Sequence, residues 1–274
     1  MLKEIVRSLT PPLLWTALHW IRRGAPRHDP MVTFTGNYSS WDAVSKECGL
    51  GYADPAIVER VALAARKARD GKVAFESDSL TSNIPKYRYP LFSALGRASL
   101  NKSRNLWVLD FGGSLGSSYF QHRKVLKEFE GLKWIVIEQE HFVTLGKREF
   151  EDGCLTFLNN FDELPADAPG LILLSSVLGY LREPYATLHQ LLDLESHFVF
   201  VDRLNLIEGP DRLTLQTVPP EIYAATYPCW FLNKGKFMET CLKRYTLDGE
   251  MSALDVHVLD GIAHHSRGYL FKRK

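Results

Sequence analysis

The sequence predicts an α/β fold built on a doubly wound, mostly parallel sheet, and three observations carry that expectation. Apolar runs at 106–110, 133–138, 155–158, 171–175 and 197–202 are separated by stretches of helical periodicity, as in strands covered on both faces. The first run ends in Asp110 and turns through Gly112, Gly113 and Gly116 into a helix starting at Ser117. The second ends in Glu138, about 20 residues beyond the turn, where such sheets place an acid for ribose hydroxyls. Together these give a Rossmann-like core, with an antiparallel edge and an N-terminal helical extension.

Taken in order, residues 1–30 form an amphipathic segment in which Trp15 and Trp20 lie near the basic pair Arg22 and Arg23. Its apolar part is shorter than the roughly 20 residues that a span requires, and no cleavage site of small residues follows. It reads equally as a helix at a membrane surface or one packed on protein. Residues 31–274 read as one domain, opening with a helical cap over 31–105. Within the cap, 31–47 is loop and turn before a short helix. Asp54 and Pro55 start a helix whose face is Ile57, Val61, Ala64, Ala65 and Ala68. Glu76 and Asp78 sit on a solvated acidic turn. The core occupies 106–203, and helices at 141–150 and 185–194 separate its later strands. Residues 204–235 form an aromatic-rich substrate or lid insertion, in which Leu213 to Val218 alternates like an exposed strand. A helix and three further strands over 236–274 supply the antiparallel edge.

At 274 residues and 45% hydrophobic, the chain can bury a full core. Its 33 Lys and Arg balance 32 Asp and Glu, for a formal charge of +1, so there is no electrostatic case for nucleic acid. Cys48, Cys154, Cys229 and Cys241 share no close spacing and read as small buried hydrophobes in a reducing compartment. No metal site is expected.

The turn itself narrows the ligand. Glycines allow a ligand to lie against bare backbone, but an acid at the strand end is badly placed beside a diphosphate and well placed to orient a cationic amino-acid tail. The segment Asp110-Phe-Gly-Gly-Ser-Leu-Gly116 resembles the first motif of the class I S-adenosylmethionine-dependent methyltransferases, with Ser114 in place of their usual middle glycine. The stretch 155–165 is similar to the family's third strand and adenine loop, and 171–185 to its fourth strand and following turn. The chain is also similar, over most of its length, to a little-characterised bacterial methyltransferase family associated with cell-surface polysaccharide synthesis. Glu138-Gln139, Asp211-Arg212, the segment from Val218 to Tyr223 and that from Tyr227 to Phe231 carry this likeness.

The resemblance implies S-adenosylmethionine as cofactor. Asp110, Gly112, Gly113, Ser114 and Gly116 would hold its methionine and ribose side, Glu138 its ribose hydroxyls, and Asn160 with Phe161 its adenine, with Gln139 also among the cofactor-binding residues. Ser175 and Ser176 follow the fourth strand. Asp202 is the candidate general base, with a structural ion pair to Arg203 or Arg212 as its rival reading; His141 lies nearer the adenine. Asp211, Arg212, Gln216, Tyr223, Tyr227 and Trp230 are candidate acceptor contacts, since carboxylate, guanidinium and aromatic faces suit a sugar. The expected activity is O-methylation of a sugar, nucleotide-sugar or lipid-linked glycan in the cytoplasm, with peripheral contact at the inner membrane face through 1–23. A nucleotide-sugar or NAD-dependent enzyme, and a noncatalytic docking module, are the alternatives.

Overall fold

The computed structural model describes residues 32–49, 51–52, 54–77, 79–100 and 106–274. The helix expected within 1–30, and Asp78 of the acidic turn, lie outside them. No helix among the described residues is long and apolar enough to cross a membrane.

The chain opens with a strand, β1 (Thr33–Tyr38), where the sequence reads as loop. The turn signal from Gly36 and Asn37 is a bulge: Gly36 adopts φ +84° and the register shifts between Thr35 and Tyr38. Burial of Phe34 against Phe231, ring centroids 5.0 Å apart, holds the strand in place. Two helices follow, α1 (Trp41–Ser45) and α2 (Pro55–Arg69). Asp54 caps α2 by accepting from the Ala56 amide at 2.9 Å, and the predicted apolar face is buried. Next come a hairpin, β2 (Phe75–Ser77) and β3 (Leu80–Ser82), and helix α3 (Tyr89–Ser99).

The core then alternates as the hydrophobic pattern predicts. Strand β4 (Trp107–Phe111) is followed by α4 (Ser117–Leu126), β5 (Lys133–Ile137), α5 (Glu140–Glu149) and β6 (Leu155–Leu158). A 3-10 turn (Phe161–Glu163) leads to β7 (Leu171–Ser175); a second (Leu178–Tyr180) leads to α6 (Pro184–Asp193) and β8 (Phe198–Leu204). The remainder is strand-rich: β9 (Leu206–Ile207), β10 (Arg212–Val218), β11 (Ala225–Asn233), α7 (Lys234–Leu242), β12 (Tyr245–Leu259) and β13 (Ile262–Arg273).

All but the hairpin strands join one 11-stranded sheet in the order β6-β5-β4-β7-β8-β13-β12-β1-β10-β11-β9. The first five are parallel, and β13 runs antiparallel between β8 and β12. Helices α2 to α5 cover one face and α6 and α7 the other, each with its own apolar cluster. The expected antiparallel edge is therefore interior, because β1 and the strands from 204–235 extend the sheet beyond it. Strand β10 is mostly buried rather than exposed, being paired on both sides. The outer strands fold back over the core: a Cβ on Gly179, in the turn after β7, would lie 3.0 Å from the Trp230 carbonyl oxygen.

Candidate functional site

The strand order reverses at β4, and its loop faces β7 across that switch point, where open α/β sheets bind ligands. Gly112 has φ +71° and its amide donates to the Ile137 carbonyl at 2.9 Å. A Cβ there would overlap Val177, which follows β7. One on Gly113 would sit 2.6 Å from the Asp110 carboxyl carbon, so only bare backbone leaves that acid its place. Ser114 occupies the left-handed region at φ +52°, which explains why glycine suits this position. Gly116 then leads into α4.

Three carboxylates gather at this loop. Asp110 is buried; Oδ2 accepts from the Trp134 indole at 3.1 Å, while Oδ1 is shielded from solvent and has no hydrogen-bond partner. Burial pushes its pKa up to about 7, against the opposing Trp134 hydrogen bond and the Arg88 charge. Glu138 reaches back: Oε1 accepts from the Ser114 amide at 3.1 Å and Oε2 from the Gln139 amide at 2.8 Å. Burial raises its pKa too, and those two amides counter the rise. The third is Glu76, expected on a solvated turn. It is only 2% exposed, and Oε2 accepts from the Ser117 hydroxyl at 2.5 Å. The β2–β3 hairpin thus presses an acid onto the first residue of α4, and packing removes it from water.

Around the loop, the Tyr52 hydroxyl meets Ser114 Oγ at 3.2 Å while its ring stacks on Phe142 at 5.0 Å. His141 keeps a buried Nε2 without a hydrogen-bond partner, and burial lowers its pKa. Gln139 is exposed at the start of α5. Asn160 caps the 3-10 turn by accepting from the Asp162 amide at 2.9 Å, and Phe161 stacks on Phe111 at 5.7 Å. These side chains bring the predicted adenine end alongside the glycine turn.

At the ends of β7 and β8, Ser175 Oγ accepts from Arg203 at 3.1 Å, and the Ser176 amide donates to the Asp202 carbonyl at 2.9 Å. Ser176 and Arg203 both hold left-handed φ, 55° and 54°. Asp202 is ion-paired: Arg88 Nε lies 3.2 Å from its Oδ2, with Arg203 Nε at 4.0 Å. Arg212, the other expected partner, instead donates to the Gly36 carbonyl and to Asp260. Arg88 also donates to Ser118 Oγ at 3.1 Å, and its backbone amide to His122 Nε2 at 3.1 Å. His122 therefore carries its proton on Nδ1, facing the Ser118 carbonyl at 2.7 Å; burial, its largest influence, lowers its pKa to about 4. Sequence reasoning missed Arg88, Tyr52 and His122 and read Glu76 as solvated, since no spacing relates them to the glycine turn.

The remaining predicted acceptor residues divide. Tyr223 and Tyr227 share a hydroxyl contact at 3.1 Å, and Tyr180 packs edge-on against Tyr227 at 5.7 Å. Gln216, paired in register with Tyr227, is buried with no hydrogen-bond partner for Oε1. A small cavity of about 10 Å3 lies between Tyr180, Asp202, Arg203 and Cys229. Asp211 and Trp230 instead line a separate cleft of about 380 Å3 beside Trp41 and Tyr185. Asp211 accepts there from the Tyr185 hydroxyl at 2.9 Å, the Asn233 amide at 2.6 Å and Lys236 Nζ at 2.8 Å.

No protein-family description matches the chain, and no curated protein matches it. Among solved structures, it is similar to the N-terminal domain of EvdMO1 in the presence of SAH and D-fucose, at 14% identity over 76% of this chain and 95% of that one, TM-score 0.46. It is also similar to magnesium protoporphyrin IX methyltransferase (ChlM) from Synechocystis PCC 6803 with bound SAH, at 12% identity over 85% and 92%, TM-score 0.45. A third is CalS10, an amino pentose methyltransferase from Micromonospora echinaspora with bound SAM, at 11% identity over 78% and 97%, TM-score 0.43. Likeness at this level assigns no substrate and no residue.

Proposed function

We propose that the chain is an S-adenosylmethionine-dependent methyltransferase acting on a hydroxyl of a sugar, nucleotide-sugar or lipid-linked glycan. The observation that supports it best is the convergence of Asp110, Glu138 and Glu76 on the glycine turn. A diphosphate laid on that turn meets three acids, and the first turn of α4, which would otherwise favour a phosphate, already faces Glu76. A cationic amino-acid tail meets attraction instead.

The residues present fit such a ligand. Asp110 Oδ1 is a buried acceptor without a partner, which an ammonium group would satisfy. Each Glu138 oxygen accepts one amide and keeps acceptor capacity for ribose hydroxyls. Asn160 and Phe161 would border the adenine, with Ser175 and Ser176 beside the ribose and transfer point. When bound, the cofactor supplies an electrophilic methyl carbon on a sulfonium. The chain's contribution is then mainly to orient the acceptor and exclude water. Tyr180, Tyr223 and Tyr227 wall the acceptor side. Asp202 acts as base only when the acceptor draws Arg88 away, because the guanidinium already occupies its Oδ2. In this reading the enzyme works in the cytoplasm, with 1–23 touching the inner membrane face.

Isothermal titration checks the donor half: S-adenosylmethionine and S-adenosylhomocysteine should both bind. Binding of neither, or tight binding of NAD in their place, removes the proposal.

A further inference from the structure

We infer that Arg203 is a positioning residue of the donor site: a strained bulge in β8 turns its guanidinium toward Ser175 and Asp202, and the side chain acts on the bound ligand through Asp110. This role rests on the donor reading above and adds what prepares its acid for a cationic tail.

The bulge is visible in the alternation of β8. Phe198 and Phe200 belong to the apolar cluster on one face of the sheet, Val199 and Val201 to that on the other. Regular alternation would send Asp202 to the side of Phe200 and Arg203 to the side of Val201, into an apolar cluster. Leu204 takes that place instead. Val201 pairs with Tyr269 and Leu204 with Arg267, so two residues, Asp202 and Arg203, stand opposite the single Gly268. Bare backbone is needed there: a Cβ on Gly268 would lie 2.8 Å from Met251 Cγ and 3.4 Å from the Val201 carbonyl oxygen. Arg203 makes the bend with φ +54°, a left-handed conformation that its own Cβ disfavours.

Such a position favours glycine or asparagine when only the fold is at stake. Arginine there has a task for its side chain. Nη2 donates to Ser175 Oγ at 3.1 Å, and Nε lies 4.0 Å from Asp202 Oδ2. Ser176, one residue past the Ser175–Asp202 pair, is left-handed too, at φ +55°. Two strained residues thus mark the ends of neighbouring strands, where sheets of this kind bind ligands.

The charge of Arg203 is felt at Asp110, two strands away on β4. Burial favours the protonated acid, which has no hold on an ammonium group. Glu138 after β5 acts in the same sense, while Arg88 of the cap, Arg203 and the Trp134 hydrogen bond oppose it. Of the other titratable groups around the turn, Glu76 on β2 accepts from Ser117, and burial holds His122 on α4 neutral. Arg203 therefore keeps Asp110 ionised to a lower pH than burial alone allows.

The test titrates S-adenosylhomocysteine, which retains the cationic tail, into the full chain and into Arg203→Gln, Arg203→Lys and Arg203→Gly by calorimetry from mildly acidic to mildly alkaline pH, beside urea unfolding of each. In Arg203→Gln, which keeps a donor for Ser175 but no charge, the pH at which affinity rises should move up by about half a pH unit or more, and Arg203→Lys should return it. Arg203→Gly should move it likewise while unfolding at an equal or higher urea concentration, since glycine relieves the bulge. An unchanged pH profile in Arg203→Gln, or one that Arg203→Lys fails to restore, overturns the inference. So does a clear loss of stability in Arg203→Gly, which would mean that the guanidinium serves the fold. If the unaltered chain binds no S-adenosylhomocysteine at any pH, the donor reading itself fails and the role of Arg203 falls with it.

Discussion

In the proposed donor site Asp110 matters most, because its surroundings leave one carboxylate oxygen buried and unmatched. Its pKa, raised from 3.8 to about 7 by burial, has a defined consequence for pH. An acid whose folded pKa exceeds its unfolded value favours the fold while protonated. That contribution is whole below the unfolded pKa and is lost as pH rises through about 7. A cationic ligand has the opposite preference and binds the ionised form. Cofactor affinity should therefore rise with pH up to neutrality, with proton release on binding below it, both visible by calorimetry in buffers of different ionisation enthalpy. Asp110→Asn should abolish the pH dependence and weaken binding about tenfold or more. A variant with unchanged affinity contradicts the assignment. Gly113 belongs to the same argument, since its missing Cβ is what gives the carboxylate room.

Among the elements, the β2–β3 hairpin shapes the site most unexpectedly. Its sequence, rich in Ser and acids, reads as a solvated turn, yet the fold lays Glu76 against the start of α4. Glu76→Ala removes that tie and leaves the Ser117 hydroxyl without its acceptor, at a cost of about 1–3 kcal/mol. Urea unfolding measures this; a loss below about 0.5 kcal/mol would mean the contact is incidental. Arg88, just before α3, is the companion device. It binds Asp202, Ser118 and, through its backbone, His122, so the cap is fastened to β8 and to α4.

Over the whole molecule, the sheet does not stop at the β12–β13 hairpin but continues through β1, β10 and β11 until β11 rests on the turn after β7. That return brings Tyr227, Cys229 and Trp230 to the carboxyl ends of the core strands. It depends on the bare backbone of Gly179, where an added Cβ would lie 3.0 Å from the Trp230 oxygen and 3.2 Å from Cys229 Sγ. Gly179→Val should cost about 1–3 kcal/mol through overpacking and impair acceptor binding more than cofactor binding. Equal stability and unchanged ligand binding would show that the outer strands have room to shift.

Sequence alone determined the parallel core, the glycine turn and the Glu138 that closes on it, because each depends on residues near one another in the chain: hydrophobic period, strand ends and backbone freedom. It misread β1, where Gly36 marks a bulge rather than a loop, since a bulge and a turn use the same residue. Only the tertiary structure decided that Glu76 is buried, that Asp202 is held by Arg88, and that Asp211 and Trp230 line a cleft apart from Tyr223 and Tyr227. Those facts depend on which distant segments share a surface, and burial and charge pairing between such segments leave no periodicity in the chain to read.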